Sequence, residues 1–237
     1  MRRLPRRRRY CSSRRYLRKN DLRKQKTFLE IGTSDFNTLL PLCRNGWSGI
    51  LVEPIPLLAE NLRKEIAAEG LQATVLNMAI SDHDGELQMR KIVGHEYLGL
   101  TDSVESCGLV STPVGSEAFE KVWFKGTSYV DLSKTGGSNG TPADDRLSFE
   151  EITVKCMKLS SLMQRFEIHS LDLMQIDVEG HELHILESYD FRIHPMVVKV
   201  EHEHMPANGR DLKDIVKLLE NNKYHTFVEE KDIYGIY

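Results

Sequence analysis

The chain has 237 residues, 40% of them hydrophobic and 28% charged, with a net charge of −3, the profile of one large or two small globular domains. No run reaches the roughly 18 apolar residues that a membrane-spanning helix needs, so an integral membrane helix is excluded. Cys11, Cys43, Cys107 and Cys156 lie far apart without a CxxC pair, which argues against a zinc ribbon or a disulfide module and for reduced thiols in an intracellular, cytoplasmic protein.

Charge divides the chain into two parts. Residues 1–26 hold 13 of the 32 Lys and Arg and a single acid, Asp21, so this tail carries +12 and the remainder −15. The tail lacks the apolar stretch of a secretory signal. Its composition suits a solvated leader, an organelle-targeting segment, or a polycation that binds nucleic acid or an anionic membrane.

From residue 27 onward strands and helices alternate. Phe28-Leu29-Glu30-Ile31 is a buried strand ending at Gly32, followed by polar Thr33-Ser34-Asp35. Thr38 to Leu42 begins a helix that Pro41 is expected to limit. Gly49 to Glu53 is a second strand, stopped by Pro54 and Pro56. Leu57 to Ala68 is an amphipathic helix closed by Gly70. Ala73 to Ile80 is expected as a third strand, and Glu86 to Val93 as a strand paired with it across the turn Asp82-His83-Asp84-Gly85.

Residues 94–148 are rich in Gly, Ser and Thr. They are expected to form a long insertion, a lid or acceptor-binding loop, with a helical turn between Val114 and Phe124. Order returns with a strand at Ile152 to Cys156, a helix at Leu159 to Phe166, a strand at Leu171 to Val178, a helix start at His181 to Ser188 and a strand at Met196 to Val200. An amphipathic helix at Arg210 to Asn222 follows, and Tyr224 to Tyr237 closes the chain as a hairpin.

This alternation predicts an α/β fold: a Rossmann-like three-layer sandwich over residues 27–237, built on a mostly parallel sheet, with the hairpin adding an antiparallel edge strand. In such a sheet ligands bind beyond the carboxyl ends of the strands, at the topological switch point. Glu30 precedes Gly32 by two residues, and no GxGxxG loop is present. An acid there repels phosphate and suits a ligand with an ammonium or sulfonium charge, which argues against a nicotinamide-dependent oxidoreductase. Glu53, 21 residues beyond Gly32, can accept hydrogen bonds from the 2′- and 3′-hydroxyls of a ribose.

The segments FLEIGTSDFNTLL, GILVEPIP, NMAISDHDGE, LSSLM, LMQIDVEGHELHILES and VVKVEHE occur in this order. Together they resemble the FkbM family of S-adenosylmethionine-dependent methyltransferases. The most specific piece is Ile176 to Glu182, similar to that family's Asp-x-Glu-Gly-x-Glu signature; Asn37 stands where a further glycine is common. The resemblance implies S-adenosylmethionine as cofactor and O-methylation of a hydroxyl on a sugar, glycan or small molecule. It also implies roles for individual residues. Gly32, with Thr33 and Ser34, would let the chain pass close to the methionine part. Glu30 would balance its ammonium. Glu53, followed by Pro54, would hold the ribose. Ala79 and Ile80 would pack near the adenine, with Asp82 toward its amine. Asp177 would stand between the methionine moiety and the acceptor.

A hydroxyl acceptor also needs a base. Asp177, Glu179, His181, His202 and His204 are the candidates, whereas Glu179 and Glu182 also suit a structural role on helix N-terminal amides. His181 and His184 stand at i, i+3, and Glu201-His202-Glu203-His204 is dense in ligand types. Strand alternation puts Glu201 and Glu203 on one face and His202 and His204 on the other. No metal is assigned. The rival reading is a non-catalytic protein of the same fold that grips nucleic acid or a membrane through its basic tail.

Overall fold

The computed structural model describes residues 25–33, 39–93, 111–113, 121–124, 128–131, 148–202 and 211–237. The basic tail up to residue 24, Ser34, most of 94–148, and Glu203 and His204 lie outside the described residues.

The chain opens with β1 (Thr27–Ile31), α1 (Leu40–Arg44), β2 (Ser48–Val52), α2 (Pro56–Glu69) and β3 (Ala73–Leu76). Pro41 lies in the first turn of α1 and starts that helix rather than limiting it; a missing N–H matters least there. Next come β4 (Ala79–Ser81), β5 (Gly85–Val93), β6 (Ser111–Pro113), β7 (Lys121–Phe124), β8 (Ser128–Asp131) and β9 (Ser148–Lys158). The remainder is α3 (Leu159–Arg165), β10 (Leu173–Ile176), α4 (Glu182–Glu187), β11 (Val197–Glu201), α5 (Leu212–Asn221), β12 (His225–Val228) and β13 (Asp232–Ile236).

Seven strands form the main sheet in the order β12-β13-β11-β10-β1-β2-β3. The pairs β10–β11, β10–β1, β1–β2 and β2–β3 are parallel. The direction of winding reverses between β1 and β10, which makes this the switch point. Strand alternation divides the core. Leu29, Ile31, Val52, Met174, Ile176, Val198 and Val200 pack with buried residues of α3, α4 and α5. Phe28, Leu51 and Val75 pack with α1 and α2. The sheet thus lies between two helical layers, a doubly wound Rossmann-like architecture.

Three expectations are corrected. First, the C-terminal hairpin does not put its antiparallel strand at the edge. β13 is antiparallel to both β11 and β12 and lies between them, so β12 forms the edge. Ile233 on β13 is fully buried against Val200, and that apolar strand gains more from an interior position than from an edge. Second, Ala73 to Ile80 is two strands in two sheets. Asn77 donates from Nδ2 to the carbonyls of Glu53 and Pro54, at 3.0 and 2.9 Å, and holds the chain at the break. Third, β5 does not pair with β4 across the Asp82–Gly85 turn. The second sheet runs β4-β9-β5-β6, with β9 inserted. Asp84 accepts from Lys158 N and Ser161 Oγ, at 2.7 and 2.8 Å, so the turn is pinned to the end of β9. In addition, Lys121–Phe124, where a helical turn was expected, is a strand paired with Ser128–Asp131.

Candidate active site at the carboxyl ends of the strands

The register of the main sheet carries one residue from each of five segments onto a common row at or just past the strand ends. Ile31 is level with Val52 and Ile176, Ile176 with Val200, and Val52 with Leu76. The next residues, Glu201, Asp177, Gly32, Glu53 and Asn77, therefore line up across the sheet. Backbone bonds continue past the strands to hold this row: Gly32 N donates to Val52 O, Glu53 N to Leu76 O and Asp177 N to Ile31 O, each at 3.0 Å. Three of the five residues are acids.

Gly32 has φ +82°, and a Cβ there would stand 1.7 Å from the Asp177 carbonyl oxygen. Only glycine permits both the left-handed backbone and this approach of β1 to the turn after β10. Thr33 is buried beside it, and its hydroxyl donates to Glu53 Oε2 at 3.5 Å. Glu53 is itself buried and accepts from Ile55 N at 2.7 Å. Glu30 lies one rung below the row and is fully buried. Its carboxylate accepts from Leu39 N at 3.2 Å and from Gln175 Nε2 at 3.4 Å, which braces the return of the chain into α1.

The turn after β10 is built for tight curvature. Glu179 has φ 58° and Gly180 φ 98°. Glu182 Oε1 accepts from Val178 N at 2.9 Å and Gly180 N at 3.0 Å. This structural use was anticipated for Glu182, but its position beside the tip acids was not. One carboxylate oxygen each from Asp177, Glu182 and Glu201 lies within 4.8 Å of the other two. Burial raises the Glu182 carboxyl to about 7, with its backbone hydrogen bonds opposing and Asp177 adding. Burial, then the charges of Asp177 and Glu179, push Glu201 up to about 10.

The histidines are placed differently. His181 Nε2 lies 3.1 Å from Ser81 Oγ, and its ring stacks on His184 with centroids 4.7 Å apart. Burial and then His184 push the His181 imidazole down to about 4. His202 turns to the hairpin: its N–H donates to Lys231 O at 2.8 Å and its Nε2 lies 3.2 Å from Glu229 O. Asp82 is exposed, with Oδ1 accepting from Ser81 Oγ at 3.1 Å and lying 2.8 Å from His83 Nδ1. Ala79 and Ile80 are buried at the start of β4, and Pro54 is half-buried after Glu53.

Glu201 is the site residue that sequence reading passed over. Its signal was present in strand alternation, which sets Glu201 on the face opposite His202. The run of four ligand-type residues drew attention to the histidines instead.

The chain is therefore a doubly wound α/β protein with three acids aligned beside its switch point. The family model described as "Methyltransferase FkbM domain" matches residues 28–226, and the chain belongs to this methyltransferase family. No curated protein sequence matches the chain. Among solved structures it is similar to magnesium protoporphyrin IX methyltransferase (ChlM) from Synechocystis PCC 6803 with bound SAM, at 10% identity and TM-score 0.40, over 92% of this chain and 73% of that one. It is also similar to the N-terminal domain of human METTL16 in complex with SAH, at 9% identity and TM-score 0.38, over 90% of this chain and 60% of that one. No helix among the described residues is long and apolar enough to cross a membrane.

Proposed function

We propose that the chain binds S-adenosylmethionine over the row Glu53-Gly32-Asp177 and methylates a hydroxyl on a sugar, glycan or small-molecule acceptor. The observation that carries this reading is the alignment of Glu53 and Asp177 on either side of Gly32 at the switch point. Such a row attracts an ammonium or sulfonium group and repels a pyrophosphate. The residues present therefore fit the cofactor, which when bound supplies a methyl group on a positively charged sulfur.

The chain's own residues divide the work. Glu53, fixed through Ile55 N and Thr33 Oγ1, offers acceptor positions to two ribose hydroxyls. Gly32 keeps the floor of the site free of side chain. Ala79, Ile80 and Asp82 border the adenine end, and Pro54 shapes the ribose side. Glu30 acts from below, through its bond to Leu39 N at the start of α1. Asp177 faces the reacting centre. Holding an acceptor in line with the methyl group is the larger part of the rate gain in such a displacement. His181 and His202 are held on Ser81 and the hairpin, so we assign the hydroxyl proton to the turn after β10, with Glu179 as base.

Calorimetry with S-adenosylhomocysteine tests the reading. Saturable binding of one molecule per chain is expected. Glu53→Ala should weaken it about 10- to 100-fold, the effect of removing hydrogen bonds to a charged group. Absence of heat with the folded wild-type chain would overturn the assignment.

A further inference from the structure

The contact of Asp177, Glu182 and Glu201 is more than a row of acids awaiting one organic cation. Their three oxygens converge within 4.8 Å. Oxygens sharing a cation at about 2.0–2.6 Å lie at most about 4–5 Å apart, so the cluster has the dimensions of a coordination sphere. A second observation points the same way. Glu182 is only 1% exposed. While its Oε1 takes two backbone N–H groups, its Oε2 is buried with no hydrogen-bond partner among the described residues. The same holds for Glu201 Oε2. Buried carboxylate oxygens without a partner are strongly disfavoured unless a proton or a cation neutralises them, and Glu201 also shares a side-chain hydrogen bond with Asp177, a contact that a cation held between the two carboxyls would replace. No Lys or Arg among the described residues pairs with Glu182 or Glu201, and Lys199 near the same edge is taken by Asp232 at 3.2 Å.

We propose that Asp177, Glu182 and Glu201 form a binding site for a hard divalent cation, Mg2+, Mn2+ or Ca2+, at the tips of β10 and β11. The donor set is all oxygen, which selects this class over zinc or copper, and His181 and His202 bond Ser81 and the Glu229 carbonyl instead. Glu182 is held by Val178 N and Gly180 N, so its carboxylate is fixed in place beside those of Asp177 and Glu201. Asp177 and Glu201 are brought beside it by the β10–β11 register. Three protein ligands leave coordination positions for water or for an acceptor hydroxyl. The ion's binding stands on the geometry alone, whereas any part in methyl transfer rests on the function proposed above.

The test uses the full chain, stripped with a chelator and titrated with Mn2+ while the free-ion electron paramagnetic resonance signal is followed. About one Mn2+ per chain is expected, displaced by excess Mg2+ or Ca2+. Glu201→Gln and Glu182→Gln should each weaken binding at least about tenfold, with circular dichroism confirming the fold. If Glu182→Gln unfolds, Glu201→Gln and the wild-type competition decide the matter. No saturable Mn2+ binding, or a Glu201→Gln chain that binds Mn2+ like the wild type, overturns the proposal. Calorimetry with S-adenosylhomocysteine on the same samples separates the two readings. Nucleoside binding without Mn2+ binding refutes the ion site alone, and Mn2+ binding without nucleoside binding refutes the cofactor assignment alone.

Discussion

Gly32 answers two demands at once: a left-handed backbone and contact with the Asp177 carbonyl. Gly32→Ala should lose at least about 1–2 kcal/mol from the backbone alone, with a further loss from the displaced β10 turn. The denaturation midpoint in urea measures it, and an unchanged midpoint would show that the turn gives way freely. His181 supports a pH prediction. Its folded value, about 4, lies below the ordinary 6.5, first through burial, then through His184, with His83 adding and Asp82 opposing. The unfolded chain takes up the proton first, so acid favours unfolding, and stability should fall as pH drops from about 6.5 to about 4. In chelator-treated protein, melting temperature against pH should lose part of its slope in this window on His181→Gln. An identical slope would remove His181 from the account. The residue types at 30, 53 and 177 were legible because acids at strand ends stand out in an apolar pattern. Their depth was not: Glu30 is buried on Leu39 N and Gln175, contacts that no spacing rule encodes.

Strands β1 and β2 illustrate packing at the level of elements. Phe28 is level with Gly49, and a Cβ at Gly49 would stand 2.1 Å from the Phe28 ring. The ring covers the glycine and extends the cluster formed with α1 and α2. Phe28→Ala should therefore destabilise by about 3–5 kcal/mol, read from chemical denaturation, whereas an effect below 1 kcal/mol would mean that the cluster collapses into the gap. The extents of α2 and α5 were readable to within a residue or two from periodicity, and the end of α2 also from the glycine that closes it. The pairing of β5 was not. A short polar turn predicts a hairpin, but Asp84 bonds to Lys158 N and Ser161, and β9 takes the place of the expected partner.

At the scale of the molecule, the position of β13 decides how the sheet is held. Among the described residues it is the only partner of β12 in the main sheet, and it covers the open side of β11. A chain ending at Lys231 should lose cooperative unfolding and expose the core around Val198 and Val200, seen as a broadened thermal transition and rapid proteolysis. Simple fraying, with the transition kept, would mean that the parallel core stands without the strand. The same arrangement matters for the site. β11 places Glu201 beside Asp177, and β13 holds β11 in place.

The local pattern of residues was enough to place the parallel strands, most of the helices, the acids at the strand ends and the resemblance to the family to which the chain belongs. Each of these depends on periodicity, on turn residues or on a contiguous motif, and all of them are written along a few neighbouring positions. The tertiary structure alone decided that β13 lies inside the sheet, that β9 separates β4 from β5, and that Asp177, Glu182 and Glu201 meet. Those facts depend on lateral pairing between segments distant in the chain, and on which buried oxygens are left without donors once that pairing is complete.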